Sequence, residues 1–375
     1  MEFRDLKRQY EVLKDEIDRV MVKVASESHY IMGTEVKQLE EELAEYIGVR
    51  HCISCANGTD ALQLALMTWG VGPGDAVFVP DFTFFSSAEV VAAVGATPVF
   101  IDVNPETFNI DPEDLERAVR ETLAGGRLTP KVVIGVDLFG LPASWPEITD
   151  ITRKFGLKTL EDGAQGFGGG IGGRKACSFG DISTTSFFPA KPLGCYGDGG
   201  AVFTDNDDWA ELLKSYRVHG KGACKYDNVR IGMNSRLDTI QAAVLQVKLK
   251  AFRDYELDDV NAAAALYDEL LAGIPGVVAP VIPEACRSSW AQYTIRFSDR
   301  ATRDGLQVAL KARGIPSMVY YPTSMSAQTA FAGMPHRLCP AAARLCETVL
   351  SLPVSPYITR EEQRDVADAI KEYVR

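Results

Sequence analysis

The chain has 375 residues, and 39 Lys plus Arg against 51 Asp plus Glu leave it a formal charge of −12. That length suits one large α/β domain with a smaller partner, and the ordinary composition excludes a disordered, collagen-like or disulfide-dense protein. An acidic chain without a Lys/Arg-rich run is a poor match for nucleic acid or an anionic membrane, so neither is expected as a partner.

No stretch approaches the roughly 18–20 apolar residues that span a bilayer. The opening MEFRDLKRQYEVLKDEIDRV is charged throughout, unlike a signal peptide, and a cytoplasmic protein with reduced cysteines is the expectation. Cys52 and Cys55 form a lone C-x-x-C with no second pair at zinc spacing. They read as two small residues of a buried strand, and no metal site is expected.

The first segment reads as a helix, with Leu6, Tyr10, Leu13, Ile17, Val20 and Val24 recurring every three or four residues. A second helix, about Glu35 to Ile47, follows the break at Gly33. Short β-branched runs then alternate with helical stretches: HCIS at 51–54, AVFVP at 76–80, TPVFID at 97–102, KVVIGVD at 131–137, LKTLED at 157–162, DISTTSF at 181–187 and AVFT at 201–204. The alternation, with helices such as Asp60 to Trp69 and Ser86 to Val94, predicts a mostly parallel sheet covered on both faces. One long helix, about Leu237 to Leu271 with room for a break, leads into QYTIRF, a helix near Arg303–Arg313, SMVYYP and a last helix whose Thr359 and Glu362 have capping-box spacing. The predicted organisation is a large α/β domain over residues 1–250 and a smaller α+β domain over 251–375.

Asn57-Gly58-Thr59-Asp60 sits between a strand and a helix. Gly58 permits a tight turn, and Thr59 with the first helical N–H groups suits a phosphate at the positive helix end. On this motif alone, an Asp or Thr helix cap without a ligand is an equal alternative. In GFGGGIGG (166–173), Gly168, Gly170 and Gly173 match G-x-G-x-x-G, but RKACSFGDIS follows where a dinucleotide site needs a helix. A glycine-rich turn or hairpin is predicted there, and a nicotinamide dehydrogenase is rejected.

Glu161-Asp162-Gly163-Ala164-Gln165 ends the run LKTLED, at the strand end where open α/β sheets place ligands. Lys191 lies between Pro189 and Pro192 in SFFPAKPLG, off any helix and among Phe, Pro, Leu and Gly. An apolar setting disfavours the ammonium, and a neutral amine is what Schiff-base chemistry needs. A phosphate cradle, a strand-end carboxylate and a desolvated lysine together are what pyridoxal 5'-phosphate requires. An aromatic ring to stack on it is available in FTFF at 82–85.

With these motifs in view, the sequence resembles the DegT/DnrJ-type nucleotide-sugar aminotransferases, pyridoxal-phosphate enzymes of fold type I, from FRDLKRQY to the final helix. CANGTDAL, the E-D-x-A-Q motif, SFFPAKPLGCYGDGGA and GMNSRLDTIQAA carry the resemblance. It implies an α/β fold with a mostly parallel seven-stranded sheet. It further implies that Lys191 carries the cofactor and that Asp162 partners the pyridine nitrogen. By the same transfer Gln165 contacts the ring's 3-hydroxyl, Phe84 stacks on the ring, and Gly58, Thr59 and Ser186 bind the phosphate. Asn234 resembles an asparagine that reaches the phosphate from the neighbouring subunit, which implies a homodimer with shared sites.

Two positions depart from the family. Gly163 stands where alanine or cysteine is common, with little effect expected beyond local packing. Tyr320-Tyr321-Pro322 stands where His-Tyr-Pro is frequent, next to the sugar, so substrate details transfer poorly there. The wording around 51–62 and 185–204 resembles enzymes that aminate C3 of a UDP-linked 3-keto sugar in surface-polysaccharide or lipopolysaccharide synthesis. UDP-2-acetamido-3-oxo-glucuronate with L-glutamate as donor is the first expectation; UDP-3-keto-N-acetylglucosamine and a dTDP-3-keto-6-deoxyhexose are the alternatives. A sugar carboxylate would need a cation, for which His219 and Arg236 are candidates, with Tyr320 and Tyr321 as further substrate contacts. A pocket taking an anionic cofactor and substrate is expected to be locally positive. A sugar dehydratase of this fold would carry histidine at the Lys191 position, and a non-catalytic regulatory homologue would not need the complete Lys191, Asp162 and Gln165 set.

Overall fold

The computed structural model describes residues 1–224 and 226–374. Helix α1 (Leu6–Glu27) starts where Asp5 accepts the Arg8 N–H at 2.9 Å, and α2 (Thr34–Ile47) follows Gly33. Next come β1 (His51–Cys55), α3 (Gly58–Thr68), β2 (Asp75–Pro80), α4 (Ser86–Ala93), β3 (Thr97–Ile101), α5 (Pro112–Gly125), β4 (Thr129–Val136), α6 (Trp145–Phe155) and β5 (Lys158–Asp162). A short hairpin of β6 (Gly170–Ile171) and β7 (Arg174–Lys175) precedes β8 (Ile182–Ser186), β9 (Gly200–Thr204) and α7 (Asp207–Tyr216).

The seven β-branched runs are the seven strands of the main sheet, ordered β1-β9-β8-β5-β4-β2-β3. Only β9 opposes its neighbours; β8, β5, β4, β2 and β3 pair in parallel. The strands read as near-continuous apolar runs because helices cover both faces. Val77, Val79, Ile134 and Leu160 pack with α3 and α4 on one side, while Phe78, Val133 and Ile101 meet Leu115, Val119, Trp145 and Ile148 on the other. Each such buried side chain contributes about 1.5–3 kcal/mol relative to exposure. Since β1 runs with β8, the carboxyl ends of β1, β2, β4, β5 and β8 share one edge of the sheet.

The glycine-rich stretch is a hairpin, as predicted: Gly172 and Gly173 turn between β6 and β7 with φ of 57° and 86°. Both take the left-handed region that glycine adopts without cost. Cys52 and Cys55 are buried strand residues of β1, and burial pushes their thiols up. Among the described residues no His, Cys, Asp and Glu group is placed to hold a metal ion. No described helix is long and apolar enough to cross a membrane.

The long helix is divided in two, α8 (Thr239–Ala251) and α9 (Leu257–Leu271), by a π turn over Phe252–Glu256. After β10 (Cys286–Arg287) come β11 (Tyr293–Arg296), α10 (Arg300–Ala312), α11 (Pro340–Thr348), β12 (Val349–Leu352) and α12 (Arg360–Val374). The segment SMVYYP contributes a single bridge, Met318 to Ser351 beside β12. The capping box forms reciprocally: Thr359 N–H donates to Glu362 (2.9 Å), and Glu362 N–H to Thr359 Oγ1 (3.1 Å). One apolar cluster runs from Leu39 and Leu245 through Tyr267 to Leu350 and Ile370, tying α2 and α8 to the C-terminal elements.

Candidate active site

At the shared strand edge lies a cavity of about 640 Å³. Asn57, not Asp or Thr, caps α3: its side chain accepts the Asp60 N–H at 2.8 Å. The N–H groups of Gly58 and Thr59 belong to the first turn, which leaves them without intrahelical acceptors and at the positive end of the helix. A Cβ on Gly58 would lie 2.7 Å from the Ser186 Cβ, so glycine is what lets the helix start close against the end of β8. Ser186 Oγ accepts the Phe188 N–H at 3.2 Å, which leaves its own proton to give. Thr59 Oγ1 and Ser86 Oγ are 2.8 Å apart. These groups make an anion cradle of backbone donors and hydroxyls.

Asp162 is buried at the end of β5, where Ser87 Oγ donates to its Oδ2 at 2.7 Å and the Ala164 N–H to its Oδ1 at 3.3 Å. Gln165 is oriented by its neighbours: its Oε1 accepts the Phe139 N–H at 2.6 Å and its carbonyl accepts from Ser289 Oγ at 2.6 Å. Its Nε2 therefore faces the cavity side and donates to the Tyr321 hydroxyl at 3.0 Å. Burial keeps that hydroxyl protonated, raising it well above its usual value. Phe84 is 53% exposed on the cavity wall, its ring 6.2 Å from that of Tyr321, so a face remains open for stacking.

Lys191 sits on the loop between β8 and β9, where its N–H donates to the Phe188 carbonyl at 2.8 Å. Its ammonium is pushed down, first by burial, while Asp162 pulls the other way and Arg4 adds to the lowering. The amine is thus shifted toward the neutral form that nucleophilic chemistry uses.

The cavity brings together Gly58, Thr59, Phe84, Asp162, Gln165, Ser186, Lys191, Tyr320 and Tyr321. It does not include His219, Asn234 or Arg236. His219 lines a separate surface recess with Lys221 and Arg230, Asn234 is exposed, and Arg236 is half-buried just ahead of α8. The expected positive pocket is corrected: among the described residues its charged lining is Asp60, Asp162 and Asp198 against Lys191 alone. What one chain offers an anion in this cavity is N–H groups and hydroxyls. Gly163 bears on local packing, as expected: a Cβ there would lie 2.6 Å from the Cys177 Sγ and 3.0 Å from the Thr184 carbonyl. Glycine fits because Cys177 fills that space. Sequence reasoning missed Ser87, for which only the serine doublet after FTFF was a signal, and Asp198 and Gln292, for which there was none.

With this geometry established, comparison with known proteins is decisive. Residues 11–371 match the model of the DegT/DnrJ/EryC1/StrS aminotransferase family. The chain belongs to this family. A Pseudomonas aeruginosa relative, UDP-2-acetamido-2-deoxy-3-oxo-D-glucuronate aminotransferase, is 43% identical over 360 residues, covering 96% of each chain. A Geobacillus stearothermophilus relative, described as a pleiotropic regulatory protein, is 42% identical over 99% of this chain and 98% of its own. A solved DegT/DnrJ/EryC1/StrS aminotransferase from Brucella abortus is 48% identical with a TM-score of 0.96, covering 100% of this chain and 99% of that one. The fold is the expected fold type I aminotransferase architecture, and the chain is an aminotransferase.

Proposed function

We propose that this aminotransferase uses pyridoxal 5'-phosphate to move the amino group of L-glutamate onto C3 of a nucleotide-linked 3-keto sugar. One observation carries the reading: Lys191, Asp162 and the start of α3 face a single cavity. The residues fit the cofactor, with a burial-lowered amine, a carboxylate fixed by Ser87, a cradle where a Gly58 Cβ would clash, and an open Phe84 ring. When bound, pyridoxal phosphate supplies an aldehyde carbon to receive the amino group and a ring that accepts electrons.

Lys191 would hold the cofactor, take the proton from Cα of glutamate and deliver one to C3 of the sugar. Asp162, a buried carboxylate that accepts two hydrogen bonds, would stabilise positive charge on the cofactor's ring nitrogen. Gly58, Thr59 and Ser186 would bind the phosphate, and Gln165 would present an N–H to the ring's hydroxyl. In the net reaction the amino group of glutamate replaces the keto oxygen of the sugar, and 2-oxoglutarate leaves.

The Pseudomonas aeruginosa relative favours UDP-2-acetamido-3-oxo-glucuronate as the sugar, and surface-polysaccharide or lipopolysaccharide synthesis in the cytoplasm is the setting proposed for the reaction. UDP-3-keto-N-acetylglucosamine and a dTDP-3-keto-6-deoxyhexose are the alternatives. A homodimer completes the site, with Asn234, His219 and Arg236 serving a second copy's cavity. The position of all three outside their own cavity and the exposure of Asn234 and His219 support this, as do the exposed Tyr30, Ile31, Met32 and Ile231. Lysine at 191 argues against a dehydratase, and the intact Lys191, Asp162 and Gln165 set argues against a purely regulatory role. The test is Lys191→Ala: cofactor absorbance that bleaches with glutamate, and amination across a panel of UDP- and dTDP-3-keto sugars, should both vanish. Turnover at the parent rate would refute the proposal.

A further inference from the structure

The segment ahead of α1 does not line the cavity, yet it reaches the loop that carries Lys191. Arg4 Nη2 donates to the Pro192 carbonyl at 3.4 Å, one residue beyond Lys191. Phe3 sets its ring edge-on to Tyr320 of the cavity wall, 6.1 Å between centres, and its carbonyl accepts the Val354 N–H at 3.3 Å. Arg8 anchors the other end, with both terminal nitrogens on the Glu362 carboxylate of α12 (2.7 and 2.8 Å) and Nη1 also on the Tyr357 carbonyl (3.0 Å). Residues 3–8 therefore form a strap, fixed to the C-terminal elements and ending behind Lys191.

The cation on this strap is left without full pairing. Arg4 Nη1 is buried and has no hydrogen-bond partner among the described residues. The carboxylate that faces it, Glu256, is buried and already accepts from Gln9 Nε2 (2.8 Å) and from the Tyr357 hydroxyl (2.6 Å). Glu256 ends the π turn between α8 and α9, a local rearrangement often found at functional positions. Lys248, buried on α8 with Nζ 5.2 Å from the centre of the Tyr196 ring, is a second positive group on the same side.

We propose that Arg4 is a positioning residue for Lys191: it braces the Pro192 end of the loop and sets a permanent cation beside the amine that carries the cofactor. The inference rests on that reading of Lys191. Among the described residues Asp162 from β5 and Arg4 from the strap act in opposite directions on the Lys191 ammonium. Glu256 from the π turn supports the charge on Arg4 against its burial, and Arg4 in turn lowers the ammonium of Lys248. Arg4 thus works with burial to keep the Lys191 amine neutral.

The experiment labels the full chain, free of cofactor, with acetic anhydride at graded pH and follows acetylation of Lys191 by mass spectrometry. Arg4→Met should move the midpoint of Lys191 labelling to higher pH, whereas Arg4→Lys, which keeps the charge, should return it toward the parent. If Arg4→Met does not fold, Arg4→Gln, which removes the charge but keeps a hydrogen-bonding side chain, takes its place with the same expected shift. Parent midpoints in the folded variants would overturn the proposal. Borohydride reduction of the pyridoxal-phosphate-loaded parent separates the two readings: a pyridoxyl group on another lysine refutes the role of Lys191, while the labelling midpoints still report on Arg4.

Discussion

The corner formed by Asp162, Gln165 and Lys191 differs in kind from the segment 217–236. In the corner Asp162 and Gln165 are buried and held, Asp162 by Ser87, Gln165 by Phe139, Ser289 and Tyr321. The segment is held at its two ends, where buried Arg217 pairs with Glu40 at 2.6 Å and donates to the Ser54 carbonyl at 2.7 Å, and where buried Ser235 accepts the Ala56 N–H at 3.1 Å. Between those ends it displays Asn234 and Ile231 outward, the latter 90% exposed. A preorganised corner suits chemistry, because fixed dipoles need not reorganise as charge moves. An exposed, apolar and polar segment beside a recess suits a partner surface.

If the corner is self-contained machinery, its variants should act independently of protein concentration. Asp162→Asn should lower kcat by ~10²–10³-fold, the scale of a lost electrostatic stabiliser, while the pyridoxyl group remains trappable on Lys191. Steady-state kinetics at two enzyme concentrations check this, and a concentration-dependent loss would blur the contrast between the two regions.

The segment should behave in the opposite way. Asn234→Ala should weaken cofactor binding ~10–100-fold, matching about 1.5–3 kcal/mol for a hydrogen bond to a charged group. Mixing it with Lys191→Ala should restore activity, because one composite site then has both residues intact. Titration by cofactor absorbance measures the first effect and an activity assay of the mixture the second. Absence of recovery would break the assignment of this segment to a second copy.

The smallest effect lies behind the corner, at Asp137. Its Oδ1 accepts from the Ala143 N–H (3.0 Å) and Trp145 Nε1 (2.9 Å), and its buried Oδ2 has no hydrogen-bond partner among the described residues. Burial, then the charge of Glu161, raises its carboxyl well above the usual range. The folded chain keeps a proton that the unfolded chain releases above roughly pH 4, so this group costs stability increasingly as pH rises past that value. Asp137→Asn should stabilise the fold at pH 8 by about 1–3 kcal/mol at most, read as a higher Tm, with the gain shrinking toward pH 5. Equal gains at both pH values would show that Asp137 is ionised in the fold.

Much of this was legible in the sequence because it is local. β-branched runs gave all seven strands, and Thr359 with Glu362 announced a cap that forms reciprocally. Lys191 between two prolines and Asp162 at a strand end could be read as reactive from their immediate neighbours. Ser87 could not, because its value lies in meeting Asp162, 75 residues away, across the sheet edge. The same holds for the orientation of Gln165, which three distant segments impose, and for Arg4, which reaches Pro192 across 188 residues. The anionic cofactor and substrate likewise suggested a positive pocket that the folded lining of one chain does not supply.

The sequence by itself determined the order of strands and helices, the residue types that suit the cofactor and the family, since periodicity and short motifs are properties of neighbouring residues. Tertiary structure alone decided which groups share the cavity, which way the Gln165 amide faces, and that His219, Asn234 and Arg236 lie outside it. Those outcomes depend on burial and on contacts between segments far apart in the chain, and no local pattern encodes them.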